Sequence, residues 1–254
     1  MGFSADWLAL REPADHAARD LPLLRAAARM AGPGAVVVDL GCGTGSTRRA
    51  FGDLLPDAVW RMVDADADLL DRAGGERHCL DLNQVAALPL EGARLVTASA
   101  LIDLVSEEWL DRLILRLAAL RLPFYAALCY DGRMDWTPEA PDDGDITAAF
   151  NRHQRGDKGF GPALGPSAID HAVERLRSAG FTVERAESPW VLGPQDAELQ
   201  AALLPGIAAA AAEMGVVDAE SWCRGRLAAV PRATCRIGHV DLLALPPGLS
   251  VKGE

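Results

Sequence analysis

The fold is decided by one stretch, Val36-Val37-Val38-Asp39-Leu40-Gly41-Cys42-Gly43-Thr44-Gly45-Ser46. Its β-branched run is typical of a parallel strand buried on both faces, and it stops at an acid. Three glycines follow at alternate positions, where they allow a sharp turn and a close approach of a ligand to bare peptide groups. Residues 46–51 have the pattern of a helix start, whose unpaired N–H groups favour a carboxylate or phosphate. The stretch predicts a strand–turn–helix unit that binds a small ligand, with a tight turn lacking any ligand as the alternative.

Two further strands are predicted downstream, and both end near an acid. Residues 60–64 form the first, and Asp64 lies about twenty residues past the glycines, where an acid can accept hydrogen bonds from both ribose hydroxyls. Asp66 is a candidate N-cap of the next helix. Residues 77–82 form a short third strand that includes Asp81, for which a turn or cap role is the alternative to ligand contact.

The glycine spacing identifies the family that the chain resembles. A dinucleotide fold has G-x-G-x-x-G, whereas this chain has G-x-G-x-G preceded by Asp39-Leu40. That form resembles the first motif of class I S-adenosylmethionine (SAM)-dependent methyltransferases, and the likeness covers roughly residues 30–130. It implies a three-layer α/β Rossmann-like fold with a mostly parallel seven-stranded sheet whose last strand is antiparallel. It also implies SAM as cofactor and S-adenosylhomocysteine as product.

The resemblance also implies roles for individual residues. The loop backbone would lie along the methionine part of the cofactor, Asp64 would hold the ribose, and Asp81 would accept from the adenine amino group beside the backbone amide of Leu82. The full set of expected cofactor contacts is Asp39, Gly41, Gly43, Gly45, Asp64, Asp81, Leu82 and Ser99.

The chain is expected to form a single domain over residues 1–254. The expected parts are an N-terminal helical cap (1–31), a SAM-binding core (32–130), a substrate-covering loop (131–166) and the C-terminal half of the sheet (167–254), with a helical insertion at about 195–229. The fourth and fifth strands are predicted at 94–99 and 123–130.

Candidates for the chemistry lie beyond the ends of these strands. Asp103 follows the fourth strand, where it either lies near the reacting centre or caps the next helix. His153 is a candidate general base, since its ordinary pKa suits neutral pH. A solvated loop held by local ion pairs is the alternative for His153 and its neighbours. Candidate substrate contacts are Trp7, Arg11, Tyr130, Arg155 and Lys158, although Trp7 packing a helix and Arg11 pairing with Asp15 are equally open.

The composition of the chain disfavours several classes of binding partner. The net charge of −11 repels a polyanion, and no cluster of basic and aromatic residues indicates a nucleic-acid surface. The five cysteines include no CxxC pair, so no metal site is expected. No apolar stretch is long enough to span a bilayer, and charged residues near the N-terminus argue against an export signal. We therefore expect a cytoplasmic protein that acts on a small molecule, with no nucleic-acid or membrane partner; the sequence leaves its oligomeric state open.

These observations favour a SAM-dependent methyltransferase acting on a small, anionic molecule by in-line displacement. Alternatives are a SAM-using enzyme of other chemistry, such as aminopropyl transfer, and a non-catalytic SAM-binding protein. An NAD(P) oxidoreductase is disfavoured by the glycine spacing.

Overall fold

The computed structural model describes residues 4–249. The nine helices within that range are α1 (Ala5–Ala18), α2 (Leu21–Ala31), α3 (Ser46–Phe51), α4 (Ala67–Ala73), α5 (Glu107–Leu120), α6 (Asp143–Gln154), α7 (Ala168–Ser178), α8 (Ala197–Glu213) and α9 (Ala219–Ala229). The strands of the same range are β1 (Val36–Leu40), β2 (Val59–Asp64), β3 (Glu76–Cys79), β4 (Leu95–Ser99), β5 (Phe124–Thr137), β6 (Thr182–Glu187), β7 (Trp190–Leu192) and β8 (Thr234–Leu245).

One sheet runs through the protein in the order β3-β2-β1-β4-β5-β8-β6. Strands β1 to β5 pair in parallel, and β8 pairs antiparallel with both β5 and β6. The predicted fold, with an antiparallel last strand, is confirmed. The short strand β7 also pairs with β8, which adds an eighth strand that the sequence pattern did not indicate.

Helices cover both faces of this sheet, because successive side chains of a strand point to opposite sides. In β1, Val38 and Leu40 face one apolar cluster together with Trp109 of α5. Val37 faces the second cluster, which includes Leu24 of α2. The run 37–40 is buried throughout, as expected for a central parallel strand.

A third apolar cluster lies beyond the edge of the three layers. It joins the far end of β5, through Trp136, to the helical insertion, through Trp222, and helix α1 packs on it. The helices of the insertion, α8 and α9, fill the predicted range. No helix within residues 4–249 is both long enough and apolar enough to cross a membrane.

The segment 131–166 differs most from expectation. We expected a loop, but β5 continues to Thr137 and α6 follows at Asp143–Gln154. Two register shifts in the pairing of β5 with β8 interrupt the strand after Ala126 and after Tyr130. These irregularities let β5 leave the main sheet and pack on the insertion, because a bulge bends a strand.

Candidate active site

A cavity of about 670 Å³ opens at the carboxyl ends of the parallel strands. Its size is that of a small-molecule site, and open α/β sheets bind ligands at this edge. The glycine loop, the ends of β2 and β4, and one side of α1 form its walls, together with Lys158 and Phe160 from the segment after α6. The expected site residues that line it are Arg11, Gly41, Gly43, Asp64, Asp81, Leu82, Ser99 and Lys158.

The glycine loop adopts the strained backbone that its composition predicts. Gly41, Gly43 and Gly45 have φ angles of 64°, 51° and 84°, in the left-handed region. The carboxylate of Asp64 holds the loop, since its Oδ2 accepts from the Gly43 N–H at 2.8 Å. Its Oδ1 accepts from the Asp66 N–H at 3.0 Å. Asp64 therefore shapes the loop as well as facing the cavity.

Gly45 does not line the cavity, and its role is packing. A Cβ at this position would overlap the carbonyl oxygen of Ala73 and lie 3.0 Å from its Cα. The backbone of α4 thus sits directly against the loop, which only a glycine permits.

We expect Gly45→Ala to lower the free energy of unfolding by about 2 kcal/mol or more, since backbone strain and a backbone clash add. Gly34→Ala is the matched control, because Gly34 has a φ of 63° with no heavy atom within 4 Å of an added Cβ. Urea denaturation of both variants measures the difference. Equal losses of unfolding free energy in the two variants would show that the close packing of α4 against Gly45 does not contribute to stability.

Arg19, at the end of α1, is the site residue that sequence reasoning missed. Its side chain lines the cavity, yet the residue is only 4% exposed. Nη2 donates to Ser99 Oγ at 3.0 Å, whereas Nε and Nη1 are sealed from solvent and have no partner. Ser99 Oγ in turn lies 3.0 Å from Thr47 Oγ1. A buried guanidinium with two unused donors favours a nearby anion, because such a charge is costly to bury without full hydrogen bonding.

Asp39 lies beneath the loop and does not line the cavity. It is fully buried, and its Oδ1 accepts from Thr97 Oγ1 at 2.7 Å while its Oδ2 has no partner. Burial raises the pKa of this carboxyl to about 7, partly offset by the Thr97 hydrogen bond and the charge of Arg19. The structure therefore places Asp39 behind the cavity wall, and its predicted cofactor contact stays a prediction.

Another wall of the cavity carries the residues expected at the adenine. Asp81 is exposed and lies two residues beyond the end of β3, where its Oδ1 accepts from the Asn83 N–H at 2.9 Å. Leu82 is buried, and its carbonyl accepts from Trp109 Nε1 at 2.8 Å. Asp66 caps α4 as predicted, through bonds from the N–H groups of residues 68 and 69.

The backbone is strained where β4 and β5 meet the cavity. Ala100 and Leu128 both line it, and both adopt positive φ angles, 49° and 55°. Residues other than glycine are rarely found there, and such strain clusters at functional sites. Asp241 holds the Leu128 bend, since its Oδ1 accepts from the Leu128 N–H at 2.8 Å.

Four predicted site residues lie outside the cavity wall. His153 pairs with Glu213 at 3.0 Å, and its role as a general base stays a prediction. Arg155 is exposed on the far side of α6, and Trp7 packs against the third apolar cluster. The hydroxyl of Tyr130 donates to Asn151 Oδ1 at 2.8 Å. The structure therefore does not bring these four residues to the cavity, and their predicted roles stay predictions.

Lys158 and Arg11 do line the cavity, and each has a partner. Lys158 Nζ lies 3.3 Å from the His153 carbonyl oxygen. Arg11 forms the predicted ion pair with Asp15, with Nε to Oδ2 at 2.9 Å and Nη2 to Oδ1 at 3.0 Å. The predicted ion pair of Arg11 is therefore present, and its predicted substrate contact stays a prediction.

Asp103 does not cap α5. Ser106 does so instead, with its Oγ accepting from the Trp109 N–H. The Oδ1 of Asp103 is sealed from solvent without a partner. Burial raises the pKa of this carboxyl to about 6, against the opposing charge of Arg11. Asp103 itself does not line the cavity, although the neighbouring Leu101 and Leu104 do.

Outside the cavity, Glu107, Asp111 and His171 have the spacing of metal ligands. Asp111 Oδ1 already receives Arg175 Nε at 2.9 Å and lies 3.1 Å from His171 Nε2. Ordinary ion pairing accounts for this surface group.

Comparisons with known proteins support the fold. The sequence matches no family model and no curated protein. Among solved structures, the chain is similar to a cyclopropane-fatty-acyl-phospholipid synthase-like protein from Lactobacillus casei, with a TM-score of 0.56 and 14% identity over 94% of each chain. The cyclopropane synthase MmaA2 from Mycobacterium tuberculosis gives a TM-score of 0.52 and 14% identity, again over 94% of each chain.

A third similar structure is a candidate methyltransferase from Haloferax volcanii in complex with the methyltransferase activator Trm112. It gives a TM-score of 0.52 and 16% identity over 96% of this chain and 95% of that one. With the strand order and the glycine loop, these matches show that the chain has the Rossmann-like fold of class I SAM-dependent methyltransferases.

Proposed function

We propose that the protein is a SAM-dependent methyltransferase acting on a small molecule. The observation that carries this proposal is the cavity itself. A left-handed glycine loop, a carboxylate at the end of β2 and a buried arginine line one space of about 670 Å³.

The residues present fit SAM. Arg19 places a positive charge at the cavity wall, where it would attract the carboxylate of the methionine part, and the left-handed glycine loop leaves room for that part to lie along the backbone. Asp64 supplies acceptors for the ribose hydroxyls, and Asp81 one for the adenine amino group. When bound, the sulfonium supplies an already activated methyl group, so the protein needs no further electrophile.

The chain's own tasks are then to orient an acceptor and to exclude water. Helix α1 covers the cavity and is tied to the loop side by Arg49, whose Nε donates to Glu12 Oε1 at 2.6 Å. His16 Nε2 lies 3.1 Å from the Ser46 carbonyl oxygen and reinforces this contact. Asp103 lies between the cavity-lining residues Leu101 and Leu104, and its raised pKa of about 6 supports its proposed role as a proton acceptor.

The alternatives make different demands. An aminopropyl transferase needs acids that hold a polyamine, and the acidic segment 131–145 was the candidate. The structure puts much of that segment in β5 and α6, around a separate groove that includes Asp135 and Glu139.

Titration calorimetry with SAM, S-adenosylhomocysteine and NAD tests which cofactor the protein binds. Incubating the protein with a metabolite extract and a radiolabelled methyl donor tests transfer. Binding of NAD alone, or SAM binding without label transfer to any metabolite, would contradict the proposal.

We expect Asp64→Ala to weaken SAM binding by more than tenfold. Two ribose hydrogen bonds are worth roughly 1–3 kcal/mol together, and tenfold corresponds to about 1.4 kcal/mol. The variant should also lose about 1–2 kcal/mol of stability, because the Gly43 N–H loses its acceptor.

Asp64→Asn is the matched variant, since it keeps one carbonyl oxygen while removing the charge. Calorimetry with SAM and urea denaturation separate the two effects. An unchanged affinity in Asp64→Ala would refute the assigned role.

A further inference from the structure

The chain between α6 and α7 supplies Lys158 and Phe160 to the cavity wall. Asp157 fixes the shape of this turn, since its Oδ1 accepts from the N–H of Gly159 at 2.7 Å and from the N–H of Gly161 at 3.0 Å. Both glycines adopt positive φ angles, 103° and 84°. A short acidic side chain that bonds to the backbone just after it holds a turn without any ligand. The position of Phe160 is therefore set by the chain itself.

Two contacts join this turn to the neighbouring wall of the cavity. Asn83 Nδ2 donates to the Gly159 carbonyl oxygen at 2.9 Å. The ring of Phe160 lies edge-on to Trp109, with centroids 5.7 Å apart and an angle of 72° between the rings. Trp109 is fully buried, and its Nε1 donates to the Leu82 carbonyl oxygen at 2.8 Å. Phe160 and Leu82 thus pack around one indole and line the same cavity.

That neighbouring wall carries the expected contacts of a nucleoside. Asp81 and Leu82 are the expected contacts of the adenine, and Asp64 is the expected contact of the ribose. Phe160 is half-buried, so its ring is partly covered by Trp109 and partly borders the cavity. An aromatic side chain at this place offers apolar surface to a planar base, and bases of any sequence pack well on aromatic rings.

We propose that Phe160 contacts the base of the bound cofactor, and that residues 157–161 close the nucleoside end of the cavity. The inference rests on the proposed function, because it takes SAM or S-adenosylhomocysteine as the ligand. It assigns these residues to the cofactor, whereas the sequence predicted that the whole range 131–166 covers the substrate.

The charged side chains of the cavity favour a nucleoside over a nucleotide. Those that line it are Asp15, Asp64, Asp66, Asp68, Asp81, Arg11, Arg19 and Lys158. Arg11 and Asp15 neutralise each other through two hydrogen bonds. The four remaining carboxylates outnumber the two remaining cations, and Lys158 Nζ already lies 3.3 Å from the His153 carbonyl oxygen. A phosphate on the ribose would add negative charge to this excess, whereas the sulfonium cofactor, with its net positive charge, is attracted by it.

The test is titration calorimetry with S-adenosylhomocysteine and with adenosine, which keeps the base and ribose and lacks the amino-acid part. Phe160→Ala should weaken both ligands by the same factor, roughly 5- to 150-fold, because both contain the base. Phe160→Leu keeps apolar packing on Trp109 and should still weaken both at least threefold. Arg19→Met should weaken S-adenosylhomocysteine alone, since adenosine has no carboxylate. For the wild-type protein, adenosine 5′-monophosphate should bind at least tenfold more weakly than adenosine.

Phe150→Ala is the matched control. Phe150 is also half-buried and lies edge-on to a buried aromatic ring, that of Tyr130, at 5.7 Å between centroids, but it does not line the cavity. Its loss should leave both affinities within twofold of wild type, even if the free energy of unfolding falls.

The outcomes separate this inference from the proposed function. If S-adenosylhomocysteine does not bind the wild-type protein, the proposed function fails and the inference fails with it. If S-adenosylhomocysteine binds, and both Phe160 variants keep its affinity within twofold, the inference alone is wrong. It is also wrong if Phe150→Ala weakens binding as much as Phe160→Ala, or if the monophosphate binds as tightly as adenosine.

Discussion

Arg19→Met is expected to weaken S-adenosylhomocysteine binding by roughly 10- to 150-fold without lowering the stability of the ligand-free protein. A hydrogen bond to a charged group is worth about 1.5–3 kcal/mol, and 1.4 kcal/mol is tenfold. Arg19 uses one donor, on Ser99, and leaves Nε and Nη1 unpaired in a buried place. Removing such a charge relieves a desolvation penalty, so methionine should fold at least as well.

Arg226 provides the matched control, because it is equally buried at 4% exposure and fully partnered. Its Nε donates to Asp143 Oδ1 at 3.0 Å, its Nη1 donates to the Pro138 carbonyl, and it lies over the Trp136 ring. Arg226→Met should therefore lower the free energy of unfolding by about 3 kcal/mol, because it removes the charged partner of the half-buried Asp143, which keeps only the neutral donors Trp222 Nε1 and the Ala140 N–H. If Arg19→Met destabilised the ligand-free protein as much and left the affinity intact, Arg19 would be a structural residue.

The core of the fold was predictable because its signals are local. The β-branched run before Gly41 indicates a buried strand. Three glycines at alternate positions indicate a turn whose backbone repeatedly adopts positive φ angles. Asp64 and Asp66 follow the next strand at the expected place, and both make the backbone contacts that short acidic side chains favour. Each of these features needs only a few neighbouring residues to be recognised.

The rest depends on contacts between distant residues. Arg19 lies at the end of α1 and belongs to no recognisable sequence motif. Its place in the site depends on packing against Ser99, which is 80 residues away in the sequence. His153 has the right chemistry in the sequence, yet α6 directs it to Glu213 at the surface. Side-chain type alone predicts candidates, and tertiary packing selects among them.

The extension of β5 shows a second limit of prediction from the local sequence. Residues 131–137 are rich in charge and lie next to a proline, which is typical of a loop. In the structure residues 134–137 pair with residues 234–237 of β8, and Met134 and Trp136 lie in the third cluster. The partner strand lies about a hundred residues away, so local propensity was overridden by pairing and burial.

Asp39 is the residue for which the sequence and the structure give the most different roles. The sequence placed it in the cofactor motif, whereas the structure buries it completely under Leu40 and the glycine loop. Its carboxyl has a pKa of about 7 in the folded protein, compared with 3.8 for an ordinary aspartate. An acid with a raised pKa stabilises the fold only where it is protonated, so its contribution is present at low pH and is lost as pH rises towards 7 and above.

We therefore expect Asp39→Asn to gain stability relative to wild type as pH rises from 4 to 8. The folded wild-type protein holds a proton in this window that the unfolded chain releases, so the relative change approaches about 4 kcal/mol at 1.36 kcal/mol per pKa unit. Urea denaturation at both pH values, without ligand, measures it, and the difference between variant and wild type isolates Asp39 from other titrating groups. Asp241→Asn is the contrasting variant: that buried carboxylate accepts from Tyr125, Leu128 and Asp20, so its loss should lower stability. A pH-independent difference for Asp39→Asn would mean that Asp39 is ionised throughout, with Arg19 as its compensating charge.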